Sequence, residues 1–229
     1  MKNSGEPAET RGGAPRGRGR PRAFDRGAAL GKATCLFWRK GFEATSIADL
    51  TEAMGIAAPS LYAAFGSKEA LYVEALRHYG ENYDAMVWDR FRAAATAREA
   101  VRDYLLDSAA ALTGSLGDNP LGCMVTLSSV GGDGQPELAQ IMRSSRAVTL
   151  ERLEARFARA MAEGELPATL DTHALARFVQ TVQSGMSILA RDGASRAELE
   201  ETGRIAMLGW DARCGRVSPD PPGKCSGSR

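Results

Sequence analysis

Thr45-Ser46-Ile47-Ala48-Asp49-Leu50-Thr51-Glu52-Ala53-Met54, then Gly55-Ile56-Ala57, then Ala58-Pro59-Ser60-Leu61-Tyr62-Ala63-Ala64-Phe65-Gly66-Ser67-Lys68, is the stretch that decides the fold. Ser46 followed three residues later by Asp49 fits a capping box, so a helix begins there. Ile47, Leu50 and Met54 recur at helical spacing and give it one apolar face. Gly55 stands where a left-handed residue ends a helix and turns the chain sharply. Pro59 falls in the first turn of the next helix, where a missing N–H costs nothing. Leu61 and Phe65, four apart, point inward together and leave Ser60, Tyr62 and Ala63 outward. Two short helices about a glycine turn make a helix-turn-helix, whose second helix can enter the DNA major groove.

The residues in that frame are more specific than the frame. Gly55-Ile56-Ala57, Pro59-Ser60-Leu61-Tyr62, Phe65 and Ser67-Lys68-Glu69-Ala70-Leu71, with Phe37, Gly41-Phe42 and Thr45-Ser46 before them, resemble the DNA-binding domain of the TetR/AcrR family of bacterial transcriptional regulators. The resemblance runs from about Phe24 to Leu76. It departs from the commonest pattern at Ala63 and Ala64, where larger aromatic or His residues are frequent. It implies an all-α protein, with an N-terminal three-helix DNA-binding domain and a C-terminal helical domain for ligand binding and dimerisation. It also implies phosphate contacts from Tyr62 and Lys68. Thr45 and Ser46 lie where a helix N-terminus points at the backbone, and free N–H groups there suit a phosphate. Ala57, Ala58, Pro59, Ser60 and Ala63 offer small surfaces for thymine methyls rather than bidentate hydrogen bonds.

Charge is unevenly distributed. Residues 1–68 hold 11 Lys and Arg against 6 Asp and Glu, and residues 69–229 hold 18 against 22. A basic front and an acidic back suggest that the front meets a polyanion. Within the front, Arg16-Gly17-Arg18-Gly19-Arg20-Pro21-Arg22 resembles an AT-hook core. Arg18, Arg20 and Arg22 would lie in a narrow A·T-rich minor groove, drawn by its negative potential. The plainer reading is a solvated tail. An alternative function follows: a weakly specific, arm-led A·T-rich DNA-binding protein.

Residues 1–23 thus read as a disordered basic arm, 24–68 as the helix-turn-helix domain, 69–213 as the effector-binding and dimerisation domain, and 214–229 as a disordered tail. Asp25 caps a first helix to about Lys40, and Ser67 caps a fourth that runs to about Ala95. Later helices are expected at about Thr96–Thr113, Gly122–Val130 and Pro136–Glu163, then from Asp171, and from Ser195 with Glu198 three residues on. The last two, joined by a short loop, form an antiparallel hairpin. In the family the corresponding hairpin pairs with its copy. Val182, Gly185, Leu189, Ile205 and Gly209 are the expected interface, since a symmetric operator needs a symmetric reader.

The middle helices offer an apolar lining with isolated polar groups: Tyr104, Cys123, Met124, Met142, Phe178, Gln183 and Met186. Such a mix suits a small effector of unknown identity, and equally an ordinary core. Cys35, Cys123, Cys214 and Cys225 show no Cys-x-x-Cys spacing, and with His78 and His173 alone no metal site or cofactor is evident. Gly131-Gly132-Asp133-Gly134 is neither a Walker motif nor a dinucleotide fingerprint, and no nucleophile stands with a paired base, so an enzyme is not expected. No apolar run approaches the roughly 20 residues that span a membrane. A soluble, cytoplasmic homodimer that binds double-stranded operator DNA and is released by a ligand is the reading that results.

Overall fold

The structure, a computed structural model, describes residues 24–128 and 136–215. The proposed arm with Arg18, Arg20 and Arg22, the glycine loop at 131–134 and the end of the tail with Cys225 lie outside the described residues. Every regular element among those described is a helix: α1 Arg26–Lys40, α2 Ile47–Met54, α3 Ala58–Phe65, α4 Lys68–Ala93, α5 Ala97–Leu112, α6 Met124–Leu127, α7 Pro136–Ala162, α8 Thr172–Arg191 and α9 Arg196–Cys214.

Side-chain caps set most of the starts. Asp25, Ser67 and Asp171 each accept from a backbone N–H in the first turn of α1, α4 and α8. Complete capping boxes open α2 (Ser46/Asp49), α5 (Thr96/Glu99) and α9 (Ser195/Glu198). Such a cap is worth about 1 kcal/mol, enough to fix where a short helix begins. Gly55, at φ 71° and ψ 36°, supplies the left-handed turn between α2 and α3.

Two apolar cores stack along α4. The lower one joins Phe37 of α1, Leu50 of α2, Leu61 and Phe65 of α3 and Leu71 and Tyr72 of α4, and also takes Met124, Leu138 and Met142 from α6 and α7. The upper one joins Trp88, Tyr104, Phe157, Met186, Leu199 and Trp210. α4, 26 residues and about 39 Å long, runs through both. A boundary at residue 68/69 therefore cuts through a shared core, because the first turns of α4 complete the packing of α1–α3. At the far side, Arg26 Nη2 bonds Glu74 at 2.7 Å while its guanidinium lies 4.5 Å from the Phe65 ring, so α1, α3 and α4 are tied at one corner.

Three expected ends move. α4 stops at Ala93, because Ala94 turns to extended backbone (ψ 135°) and leaves Thr96 free to cap α5. α6 is only four residues, Met124–Leu127, not Gly122–Val130. Gly122 has φ 75°, and a Cβ there would meet the Ser187 carbonyl at 2.8 Å, so the chain passes too close to α8 to begin helically. Cys214, assigned to the tail, is the buried last residue of α9, where burial pushes its thiol up to about 11.

Candidate nucleic-acid interface and ligand cavity

α3 presents Ala57, Pro59, Ser60, Tyr62 and Ala63 to solvent, with Ala58 partly covered. Tyr62 is 48% exposed, too open for a packing aromatic. Leu61 and Phe65 on the opposite side of α3 are buried and fix its rotation. Ala57, the N-cap, makes no side-chain cap hydrogen bond, and Pro59 in the first turn of α3 has no N–H to need one. Lys68 holds its ammonium 4.3 Å from the Phe42 ring, a cation–π contact that restrains the side chain.

The start of α2 is more closed than expected. The Ser46 hydroxyl accepts from the Asp49 N–H and donates to the Asp49 carboxylate at 2.8 Å. Lys40 Nζ bonds the same carboxylate at 2.8 Å. The Lys40 hydrogen bond, followed by those from Ser46, holds the Asp49 carboxyl far below the usual carboxylate range. Ser46 stays exposed and Lys40 stands beside it, so a cation accompanies the helix terminus. Thr45 differs from expectation. It is 0% exposed, and its hydroxyl donates to the Gly41 carbonyl at 2.6 Å, closing the end of α1. Fully buried, its side chain has no face toward a phosphate.

Above this domain lies a cavity of about 290 Å³ between the six helices α1, α4, α5, α6, α7 and α8 and the α5–α6 loop. Tyr104, Cys123 and Gln183 line it. The other four residues nominated for the effector do not. Met124 and Met142 belong to the lower core, where Tyr72 Oη approaches Met142 Sδ at 3.7 Å. Met186 belongs to the upper core. Phe178 is 42% exposed on the outer side of α8, opposite Gly209 of α9. Five residues, about 140° of helix rotation, separate it from Gln183, so the two cannot share a face.

What composition could not suggest is the aromatic floor. Trp38 of α1 sits edge-on to Tyr79 and Tyr83 of α4, at 4.8 and 5.0 Å between ring centroids. Trp38 Nε1 donates to the Gly122 carbonyl at 2.9 Å. Tyr79 Oη donates to Cys123 Sγ at 3.3 Å, and the Cys123 N–H donates to Ser187 Oγ of α8 at 2.8 Å. Burial pushes the Tyr79 and Tyr104 hydroxyls well above the ordinary tyrosine range, so both stay protonated donors at any ordinary pH. From the other side, Arg191 at the end of α8 donates to the carbonyls of Trp38 (2.7 Å) and Arg39 (2.9 Å), capping α1 from 152 residues away. One wall of the cavity is thus part of the DNA-binding domain. The helical phase of α1 and α4 gives these residues as buried, but it does not say that they border a space.

The outer faces of α8 and α9 form a third feature. Phe178, Ile188, Leu189, Ile205 and Leu208 are exposed, with Ile205 at 60% and Leu208 at 63%. Gly209 lies exposed among them and Gly185 half-exposed, while Val182 is half-buried against the upper core. The described residues contain no group of three His, Cys, Asp or Glu placed to hold a metal, and no helix long and apolar enough to cross a membrane.

These features have counterparts in known proteins. Residues 30–75 match the model described as bacterial regulatory proteins, tetR family. The transcriptional repressor ComR of Escherichia coli (strain K12) is 38% identical over 199 residues, 84% of this chain and 92% of that one. The chain belongs to the tetR family. Another relative, the repressor BdcR of the same organism, is 32% identical over 82% of this chain and 90% of its own. Among solved structures, a cysteine-substituted TetR family regulator, CifR, complexed with 26-bp double-strand operator DNA, is 39% identical with a TM-score of 0.78, covering 84% of this chain and all of that one. This tetR-family protein is a DNA-binding transcriptional regulator, a role without catalysis.

Proposed function

We propose that the protein is a homodimeric repressor whose two copies meet through α8 and α9 and set their α3 helices in successive major grooves of a palindromic operator. The observation that carries this reading is the apolar outer face of Phe178, Ile188, Leu189, Ile205 and Leu208, with the small Gly185 and Gly209 among them. Such a face on a protein in water is covered by a partner, and glycines on it allow two helices to approach closely. The repressor names of ComR and BdcR and the operator complex of CifR support the same reading.

On the DNA, Tyr62, Lys68 and the α2 terminus at Ser46 hold phosphates, with Lys40 beside them. Ala57, Ala58, Pro59, Ser60 and Ala63 meet the groove floor with small apolar surfaces. Specificity then leans on groove shape and backbone position more than on bidentate base contacts. An effector in the cavity presses on Trp38, Tyr79 and Tyr83 at once, and so acts on α1 and α4 together. It shifts the population toward an arrangement with mis-spaced α3 helices, by no more than its preference for that arrangement.

Selection of bound duplexes from a random pool, at near-physiological salt, tests this. The expected product is an inverted repeat with half-site centres about one helical turn, roughly 34–36 Å, apart. Recovery of A·T-rich sequence without symmetry would sink the dimeric reading and favour binding led by residues 1–23.

A further inference from the structure

The cavity carries more chemical information than its volume. Its charged wall residues among those described are Asp84, Arg146 and Arg152. Asp84 and Arg152 are ion-paired to each other, and Asp84 also holds Arg92. The Arg152 guanidinium lies 4.9 Å from the Trp88 ring. Arg92 in turn reaches Asp89 at 2.7 Å, so the four charges of this cluster cancel. Arg146 is different. Its described side-chain bond runs from Nη1 to the Ser128 carbonyl at 3.3 Å, and no carboxylate among the described residues pairs with it. Among the described residues the wall therefore carries one positive charge without a carboxylate partner, half-buried.

Ser108 of α5 borders the cavity as well, but at 0% exposure its hydroxyl is closed off from it. The remaining wall is aromatic, with Trp38, Tyr79, Tyr83, Trp88 and Tyr104. A cavity of roughly 150 Å³ accepts benzene, and this one, at about 290 Å³, has room for about two rings.

We infer that the effector is a small aromatic monoanion, a carboxylate on one or two rings, with Arg146 as its counter-ion. A cation is disfavoured because Asp84 is already held by two guanidiniums. A neutral ligand leaves Arg146 unmatched, and a dianion leaves one negative charge unmatched. This inference rests on the cavity being the effector site.

The experiment compares 1-naphthoate with its neutral near-isostere 1-naphthamide on the full-length protein. Binding is read by quenching of Trp38 and Trp88 fluorescence. Trp210 packs against Phe157 in the upper core, 5.3 Å between centroids, and serves as the unquenched background. The expected result is naphthoate binding at least about tenfold tighter, the scale of one charge-assisted contact. Arg146→Gln should remove that preference and leave naphthamide affinity unchanged, while Arg146→Lys keeps most of it. Equal or tighter binding of naphthamide, or a preference that survives Arg146→Gln, overturns the inference. If naphthamide alone binds and releases operator DNA, the cavity remains the effector site and only the anionic class fails. If neither compound quenches at millimolar concentration, the effector-site reading fails, and the inference fails with it.

Discussion

Two surfaces of this molecule leave residues in water that helices usually hide, and they do so in opposite ways. The face of α3 is sparse: alanines, a proline, a serine and one tyrosine, with Lys68 close by. The face of α8 and α9 is dense, with Phe178, Ile188, Leu189, Ile205 and Leu208 around two glycines. The first has little apolar area to bury and a lysine beside it, which suits a polyanion whose charge supplies the binding energy. The second has area and few donors, which suits a surface like itself. Exposure alone does not tell a reader of DNA from a reader of protein. The size of the exposed side chains and the charge beside them do.

The contrast can be broken most strongly at its apolar end. Ile205→Glu with Leu208→Glu should weaken self-association by about a thousandfold, two central contacts at roughly 2 kcal/mol each. Sedimentation equilibrium reads it, and an unchanged dimer would mean that another face makes the contact. At the other surface, Tyr62→Ala should cost about 10- to 30-fold in operator affinity by fluorescence anisotropy and leave the melting temperature unmoved. A lower melting temperature would show that Tyr62 packs rather than binds. Lys68→Ala should change less at any one salt concentration but lower the slope of log affinity against log salt by about one. The smallest effect separates monomer from dimer. A Cβ on Gly209 meets only Phe178 Cζ, at an ordinary 3.7 Å. In the charged monomeric variant, Gly209→Ala should raise stability by about 0.5–1 kcal/mol in urea titrations, the usual gain from removing a helical glycine. In the unmodified protein the same change should loosen association.

Legibility in the sequence followed the range of the interaction. Ser46, Thr96 and Ser195 cap through residues three positions away, so their helix starts could be read along the chain. The exposed apolar stripe of α8 and α9 was legible because Gly185 and Leu189, or Ile205 and Gly209, lie one helical turn apart. Phe178 follows the same phase, and only its aromatic character suggested a ligand wall. Gly122 was misread because what bars it from a helix is Ser187, 65 positions later. The cavity was legible in part. Tyr104, Cys123 and Gln183 line it, but Trp38 falls within residues 24–68, the stretch that reads as the helix-turn-helix domain. A wall assembled from six elements leaves no periodic trace in any one of them. Thr45 failed for a different reason. It matches a pattern shared by many chains, yet its hydroxyl has a local acceptor at Gly41 that no pattern describes.

The lower core has a consequence for anyone recombining such proteins. The helix-turn-helix looks like a detachable module, and Ser67 looks like a seam. Yet Leu71, Tyr72, Met124, Leu138 and Met142 complete its packing, and Arg191 closes the end of its first helix. A graft cut at Ser67 would expose a flank of Phe37 and Leu50 and leave the Trp38 and Arg39 carbonyls without Arg191. The head and the body of this molecule are one packing problem, and a chimera that respects it must carry the inner sides of α4, α6 and α7 and the Arg191 end of α8 along with the head.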